Sequence, residues 1–288
     1  MKVTIGIPVW NGAAFVLEAI RSARAQTHED LEILIADNGS TDATRRICLL
    51  EAQQDSRIRV LLWDENRGAA ANFNRLVDEA QGDCFWWLPH DDRLHPLAVE
   101  ACLQRLSAAP TAISCHPLTQ YIDERGEVLD VGAPGLEISG ASASGRLGKF
   151  LLEHRRCDGV LGLHRLEALR RTGLIRAFRG GDEVLFAELA LRGAMLEEPT
   201  VLFDRRLHDG ASLAGRTDEE VNEWFSPESS VKIGDVGRFL AAQFQSMIRE
   251  QDLSATERWR SLLFVRRWRL RRQLRLLRRS LKDRLAPA

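Results

Sequence analysis

The sequence predicts an α/β fold in which a mostly parallel sheet is flanked by helices and followed by a C-terminal helical extension. Over the first 120 residues, short apolar segments typical of strands alternate with segments whose apolar residues have helical spacing. Repeated strand–helix units of this length favour parallel strands with helices on both faces of the sheet. The third observation is that several strand-like segments end abruptly in polar or acidic residues, as at the ligand-binding edge of an open sheet.

The elements follow in order along the chain. The predicted strands of the first half are 3–9, 31–36, 58–63, 84–88 and 113–118, and the helices between them are 13–25, 41–53, 69–80 and 96–107. The later segments are a hairpin over 121–128, a Gly/Ser/Ala-rich loop over 132–148, a short strand within 159–164, helices at 166–171 and 184–191, a strand over 200–207 and helices from 217 to the end. We therefore predict one domain over 1–215, with halves 1–120 and 121–215, and a helical extension over 216–288.

Composition narrows the class of protein. Hydrophobic residues make up 44% and charged residues 28% of the chain, as in ordinary globular proteins. The five cysteines are scattered without a Cys-x-x-Cys motif, which favours reduced thiols over disulfides or a zinc site. Neither a signal-peptide pattern nor an apolar run of about 20 residues is present. We expect a cytoplasmic protein, either free or attached peripherally to the inner face of a membrane.

The most informative segment is Trp86-Trp87-Leu88-Pro89-His90-Asp91-Asp92, in which an apolar run ends in two adjacent carboxylates. Neighbouring carboxylates raise each other's pKa unless a cation holds them. Hard divalent cations prefer oxygen ligands and often bridge one or two carboxylates to substrate phosphates. The pair therefore indicates a metal and a phosphorylated ligand; the alternative is a solvated turn that caps the next helix.

Two further strand ends carry polar signatures. The first strand ends in Pro8-Val9-Trp10-Asn11-Gly12, and the second ends in Ala36-Asp37-Asn38-Gly39-Ser40. Each is a common turn sequence when taken alone. Because the carboxyl ends of parallel strands meet at one edge of the sheet, we expect both loops to lie near Asp91 and Asp92.

Together these segments resemble the nucleotide-sugar-binding half of a family 2 glycosyltransferase with the GT-A (Rossmann-like) fold. The resemblance covers roughly residues 1–215 and rests on five segments in order: Ile7–Gly12, Ala25–Thr27, Glu32–Asp42, Asn66–Ala71 and His90–Asp92. It implies an inverting enzyme that moves a sugar from a nucleotide-diphospho-sugar, with a UDP-sugar favoured, to an acceptor hydroxyl. The acceptor would be a saccharide or a lipid-linked molecule in cell-surface polysaccharide or glycolipid assembly.

The resemblance also implies roles for individual residues. It places the donor against Pro8, Val9, Trp10, Asn11, Asp37, Asn38, Arg67, Gly68 and Asp91. The metal, Mn²⁺ or Mg²⁺, would be held by Asp92, with Asp91 in support. Relatives commonly carry another Asp where this chain has Pro89, so one carboxylate of the usual motif is replaced.

The second half of the domain is expected to supply the catalytic base. Asp182 precedes Gly193 by eleven residues, and this spacing resembles that of the family's catalytic Asp. The family's usual Glu before it is Gly181 here, and Glu183 follows instead. By position alone Asp182 would be a helix cap. His208, in the Arg206–Gly210 segment, is expected to contact the diphosphate or to become an additional metal ligand; the alternative is a surface loop residue.

Two other functional classes remain open at this point. A non-catalytic nucleotide-sugar-binding or scaffold protein on the same fold is consistent with Pro89 and with the shifted acidic pair Asp182-Glu183. A nucleotidyltransferase is disfavoured, because no Gly-rich phosphate loop followed by a basic residue occurs near residues 8–12.

The C-terminal tail differs from the rest of the chain. Residues 258–284 contain twelve Arg or Lys and one acidic residue, Asp283, with Trp and Leu interleaved. Such a basic amphipathic helix suits an anionic membrane surface. Packing on the acidic remainder of the chain or on another subunit explains the pattern equally well, and nucleic acid is an unlikely partner.

Overall fold

The computed structural model describes residues 1–132, 137–153, 158–208, 217–227 and 235–285. Its strands are β1 (Val3–Val9), β2 (Leu31–Asn38), β3 (Ile58–Trp63), β4 (Cys84–Trp87), β5 (Arg93–Leu94), β6 (Ala112–Ile122), β7 (Val128–Val131), β8 (Leu163–Arg165) and β9 (Ala194–Arg206). Its helices are α1 (Val16–Arg24), α2 (Thr44–Gln54), α3 (Ala69–Glu79), α4 (Ala98–Ala108), α5 (Ala143–Glu153), α6 (Leu166–Arg170), α7 (Gly181–Arg192), α8 (Asp218–Phe225), α9 (Val236–Glu250) and α10 (Ala255–Leu285), with a short 3-10 helix at Asp158–Leu161.

All the described strands belong to one mixed sheet, ordered β3-β2-β1-β4-β8-β6-β9-β5, with β7 paired to β6. The predicted parallel arrangement is confirmed for β3, β2, β1 and β4. Beyond β4 the sheet changes character, because β8 is inserted antiparallel between β4 and β6. β6 and β9 pair in parallel and are both longer than the sequence indicated.

The apolar run at β4 serves both faces of the sheet. Side chains alternate between faces along a strand, so Phe85 and Trp87 pack into one core and Cys84, Trp86 and Leu88 into the other. All five residues are fully buried. The first core lies under α3, α5, α7, α9 and α10, and the second lies under α1, α2 and α4. This two-sided burial explains why the segment is apolar throughout rather than alternating.

The C-terminal helices join the first of these cores. Phe244 and Met247 of α9 and Val265 and Trp268 of α10 are buried in it. A Cβ atom on Gly148 would lie 2.6 Å from the Phe264 ring, so α5 and α10 are in close contact. The predicted boundary at 215/216 lies outside the described residues. None of the helices in the described ranges is both long and apolar enough to cross a membrane.

The sheet order places three strand ends side by side. β1 pairs with β2 on one side and with β4 on the other, and Val9 is in register with Asp37. The antiparallel pairing of Arg93 with Asp204 brings the end of β9 to the residues that follow β4. One edge of the sheet therefore brings together the carboxyl ends of β2, β1 and β4 and the end of β9.

Candidate active site

The loops after β1 and β2 are tied together by hydrogen bonds. The backbone N–H of Asn11 donates to Ser40 Oγ at 2.9 Å, and the backbone N–H of Thr41 donates to Asn11 Oδ1 at 2.9 Å. The N–H of Gly12 donates to Thr44 Oγ1 at 2.9 Å. Asn11 has a φ of 48°, a left-handed conformation that Asn adopts more readily than most residues. The predicted juxtaposition of the two strand ends is present.

Asp37 lies inside this edge rather than on its surface. Its side chain is fully buried; Oδ2 accepts a hydrogen bond from Arg45 Nε at 3.0 Å, and Oδ1 accepts one from the Ser40 N–H at 3.2 Å. Arg45 was not among the predicted site residues. Its one sequence signal is a position in the first turn of the helix that follows Asp37.

Asn38 shapes the neighbouring loop. Its Nδ2 donates to Asn66 Oδ1 at 2.8 Å, and its Oδ1 accepts from the Arg67 N–H at 2.9 Å. Gly68 has a φ of 85°, and a Cβ there would lie 2.5 Å from the carbonyl oxygen of Phe225, so only glycine fits. Asn38 and Gly68 therefore hold the loop, while the Arg67 side chain is 55% exposed.

Apart from Asp91, the residues predicted to bind the sugar donor fall into two groups. Pro8, Val9, Asp37, Asn38 and Gly68 are buried in the framework of the edge. Trp10, Asn11 and Arg67 are exposed at its surface. The exposed group is the one that can meet a ligand directly.

Asp91 and His208 form a pair at the same edge. His208 Nε2 lies 3.0 Å from Asp91 Oδ2, and the His208 ring lies against the Phe15 ring, with their centroids 4.9 Å apart. The hydrogen bond that His208 donates to Asp91 raises the pKa of His208. Burial alone raises the pKa of Asp91, but the His208 hydrogen bond and the nearby His90 ring outweigh it, so the pKa of Asp91 is lowered. Asp91 is therefore ionised.

Asp92 is turned the other way. It is buried, and its Oδ1 accepts a hydrogen bond from the backbone N–H of Arg206 at 2.8 Å. Burial raises the pKa of Asp92 well above its ordinary value, and the charge of Asp91 raises it further. Asp92 was expected to be the leading metal ligand. In the structure Asp92 joins β9 to the end of β4, and it is Asp91 that faces His208.

His90 completes the contact between β1 and β4. A Cβ on Gly12 would lie 2.2 Å from Cδ2 of His90, so glycine leaves the space that the ring occupies. The ring interacts with the backbone of Pro8, and burial lowers the pKa of His90. His90 therefore packs between the two strand ends as a structural residue.

Arg206 anchors the Asp91–His208 pair. Its side chain is 1% exposed; Nε donates to the Asp91 carbonyl at 2.8 Å, and Nη2 lies 2.5 Å from Glu18 Oε2. Nη1 donates to the carbonyls of Asp123 and Glu124 at 2.9 and 3.0 Å. One buried guanidinium thus joins the end of β4, α1 and the turn between β6 and β7. From the sequence, Arg206 was predicted only as a member of the Arg206–Gly210 segment.

Arg206→Ala is expected to lower the free energy of unfolding by about 1–3 kcal/mol, because it leaves the carbonyl oxygens of Asp91, Asp123 and Glu124 without their hydrogen-bond donor. Urea unfolding monitored by circular dichroism measures this loss. Arg171→Ala is the matched control, since Arg171 and its partner Glu167 are both mostly exposed, and its loss should stay within about 0.5 kcal/mol. Similar losses in the two variants would contradict the anchoring role.

The predicted base lies on a different element. Asp182 and Glu183 occupy the first turn of α7, and both are half-buried. Burial raises the pKa of Glu183 to about 7; the charge of Asp182 adds to this rise, and Arg272 and Arg179 oppose it. The approach of Arg272, from α10, to this acidic pair was not foreseen from the sequence.

A comparison of the sequence with known families decides the assignment. The model of glycosyl transferase family 2 matches residues 4–175. The chain belongs to glycosyl transferase family 2. The matched range contains all three strand ends of the candidate site and Asp91, whereas Asp182 and His208 lie beyond it.

Individual relatives resemble parts of this family 2 chain. A glycosyltransferase of Rickettsia conorii is 37% identical over 132 residues, which cover 44% of this chain and 21% of that protein. Chondroitin synthase of Escherichia coli is 32% identical over 130 residues, covering 45% of this chain and 19% of that enzyme. Chondroitin synthase of Pasteurella multocida is 24% identical over 246 residues, covering 85% and 25%. The chain spans about a fifth to a quarter of the length of these relatives.

Solved structures share the fold of this family 2 chain. S. aureus TarS 1-349 in complex with UDP-GlcNAc superposes with a TM-score of 0.65 at 14% identity, covering 91% of this chain and 70% of that one. The mannosyltransferase PcManGT from Pyrobaculum calidifontis, in complex with GDP-Man and Mn²⁺, has a TM-score of 0.59 at 16% identity, covering 93% and 69%. The predicted GT-A fold is confirmed.

Proposed function

We propose that this chain transfers a sugar from a nucleotide-diphospho-sugar to an acceptor hydroxyl, with inversion at the anomeric carbon, in the assembly of a polysaccharide or glycolipid. The observation that carries the proposal is the ionised Asp91 beside His208, at the sheet edge that also exposes Trp10, Asn11 and Arg67. The similarity to two chondroitin synthases and to structures that contain UDP-GlcNAc and GDP-Man supports it.

The Asp91–His208 pair also fits a divalent cation. The part of the chain that the structure describes contains no group of three or more His, Cys, Asp or Glu residues arranged as a metal site. A pair is nevertheless sufficient where substrate phosphates and water complete the coordination, and a carboxylate with an imidazole suits Mn²⁺ better than Mg²⁺. A cation held there would neutralise charge on the departing nucleoside diphosphate. We therefore propose Asp91 and His208 as ligands of the cation. Asp92 would support Asp91 indirectly, as its neighbour in the chain that is fixed by the Arg206 N–H.

The nucleobase is proposed to stack on Trp10. This side chain is 41% exposed directly after β1, beside the exposed Asn11. Arg67, which lies over the Trp63 ring at 5.2 Å, supplies positive charge to the same edge. A flat apolar surface beside a cation suits a base followed by a phosphate group.

Trp10→Ala is expected to weaken binding of the nucleoside diphosphate by about 1–3 kcal/mol, the usual value of one base–aromatic contact. The ligand for this titration is whichever of UDP, GDP or dTDP gives the largest thermal stabilisation. Trp259→Ala is the matched control, because Trp259 is also exposed but lies on α10. Calorimetric titration measures both variants, and equal affinities would rule out stacking on Trp10.

One experiment tests the proposed function as a whole. UDP-, GDP- and dTDP-sugars are screened by thermal shift with Mn²⁺ or Mg²⁺, because a ligand at about 100 times its Kd stabilises the fold by about 2.7 kcal/mol. The donor that binds is then assayed for sugar release and for transfer to saccharide and lipid-linked acceptors. Binding without any turnover of the donor would favour the second candidate, a non-catalytic nucleotide-sugar-binding protein, which the replacement at Pro89 supports.

A further inference from the structure

The long helix α10 carries apolar side chains on the face that it does not pack against the protein. Trp259, Leu270 and Leu274 are 61%, 58% and 47% exposed. At 100° per residue these three positions, with the half-buried Leu263, fall within a sector of about 60° on the helix surface. We call these four residues the α10 stripe.

The opposite face of α10 already fulfils the packing role of the helix. Val265 and Trp268 are buried, and the Trp268 ring meets the Phe244 ring edge-on with their centroids 5.2 Å apart. Phe264 packs against Gly148 of α5. Packing on the domain therefore explains these residues but leaves the stripe unexplained, although scattered single exposed apolar residues would need no explanation.

Basic side chains border the α10 stripe on both sides. Arg266 lies beside one edge, Arg267 and Arg271 lie beside the other, and all three are exposed. Over 258–284 the sequence has twelve basic residues and one acidic residue. A Trp/Leu surface framed by arginines matches the chemistry of a bilayer interface, where apolar side chains enter the acyl boundary and cations meet anionic headgroups.

We propose that the α10 stripe and its bordering arginines bind the surface of an anionic phospholipid bilayer, with α10 lying in the plane of the interface. Charge complementarity selects this partner over a neutral surface. The stripe selects it over nucleic acid, since phosphate binding alone needs cations and no Trp/Leu surface.

The bearing of this docking on catalysis rests on the proposed function. Arg272, also on α10, acts electrostatically on Glu183, the residue that follows the proposed base Asp182. A bilayer bound to the outer face of α10 would therefore lie one helix away from the acidic pair. This arrangement suits an acceptor that is linked to a lipid.

The experiment is co-sedimentation of the full chain with phosphatidylcholine vesicles and with vesicles that also contain phosphatidylglycerol. It uses no sugar nucleotide, so its failure is independent of failure of the proposed transferase activity. Because one arginine near an anionic surface changes partitioning about fivefold, the mixed vesicles should bind at least about 100-fold more tightly. Equal binding to the two vesicle types, or none to either, would overturn the proposal.

Two sets of variants locate the surface. Trp259→Ser, Leu270→Ser and Leu274→Ser combined should reduce binding about tenfold for each apolar side chain lost. The matched control is Val128→Ser, Leu129→Ser and Val131→Ser combined, since these β7 side chains are 51–57% exposed and should leave binding unchanged. Arg266→Gln with Arg267→Gln should weaken binding about 25-fold, whereas the two Lys replacements should preserve it.

Other occupants of the stripe give different results. A second copy of the chain would produce a concentration-dependent dimer in sedimentation velocity that the triple α10 variant abolishes, with vesicle binding unaffected. A nucleic-acid surface would give binding to duplex DNA that the arginine variants weaken and the triple α10 variant leaves intact. Dimer formation or DNA binding of this kind would overturn the proposal if the α10 face did not bind vesicles. Loss of vesicle binding in the β7 control would also overturn it.

Discussion

Asp91→Asn is expected to weaken Mn²⁺-dependent binding of the nucleotide donor by at least about 100-fold, whereas Asp92→Asn leaves most of it in place. Loss of groups that only support a ligand already costs about 10–100-fold in metal affinity, so loss of a ligand should cost at least the upper value. Asp91 is ionised and faces His208, while Asp92 is buried against the backbone of Arg206.

The two substitutions are closely matched, since each replaces one carboxylate oxygen by an amide nitrogen in adjacent residues. At position 92 the amide oxygen can still accept the Arg206 N–H, and burial has already raised the pKa of this carboxyl, so little charge is lost. At position 91 the substitution removes a negative charge where the cation is proposed to bind.

Titration of each variant with the nucleoside diphosphate, with Mn²⁺ and with a chelator, measures the metal-dependent part of the affinity. Unfolding in urea verifies that both variants remain folded. The assignment fails if Asp92→Asn abolishes the metal dependence and Asp91→Asn preserves it, the order expected from the sequence alone.

The contrast between Asp91 and Asp92 shows which features of the fold and the site could be predicted from the sequence. The strands and helices of the first half depend on local apolar patterns, and β1, β2, β3, β4 and the helices between them were predicted within a few residues. Their parallel order also follows from local connections. The gathering of three polar strand ends at one edge could therefore be predicted before any side chain was placed.

The orientation of Asp91 and Asp92 depends on distant segments. Arg206, which binds the backbone of Asp91 and the side chain of Asp92, is more than a hundred residues away and reaches them because β5 pairs with β9. No local pattern near residue 90 encodes that pairing. The insertion of β8 between β4 and β6 is likewise a long-range contact.

The burial of residues at this edge of the sheet could not be predicted from the motif. The resemblance places Asp37 in the binding site of the sugar donor, but in the structure its carboxylate is enclosed by Arg45 and Ser40. A motif gives the identity of a residue and its place in a loop, whereas exposure depends on how neighbouring loops close over it. The roles proposed for Trp10 and Arg67 rest on their exposure, which only the structure provides.

Asp182→Asn is expected to lower turnover by about 10²–10⁴-fold, the usual contribution of general-base catalysis, with little change in donor affinity. In the proposed reaction Asp182 accepts the proton of the acceptor hydroxyl as that oxygen attacks the anomeric carbon. The spacing of Asp182 from Gly193 and its position in the first turn of α7 support this role.

The adjacent Glu183 is both the rival and the matched control. Its pKa of about 7 is suited to a group that exchanges protons near neutral pH. If Glu183 were the base, Glu183→Gln would lose the activity and wild-type turnover would fall as the pH drops through about 7. If Asp182 is the base, Glu183→Gln retains most of the turnover.

The pH dependence of stability separates this catalytic effect from a structural one. The pKa of Glu183 is higher in the folded chain than its ordinary value of 4.5, so the folded state binds more protons and loses stability as the pH rises through about 7. Glu183→Gln should abolish that loss. Asp182→Asn should only reduce it, because removing the Asp182 charge lowers the pKa of Glu183 while the burial remains. If the wild-type protein and Asp182→Asn had equal turnover at a pH where they are equally stable, Asp182 would be assigned to folding and not to proton transfer.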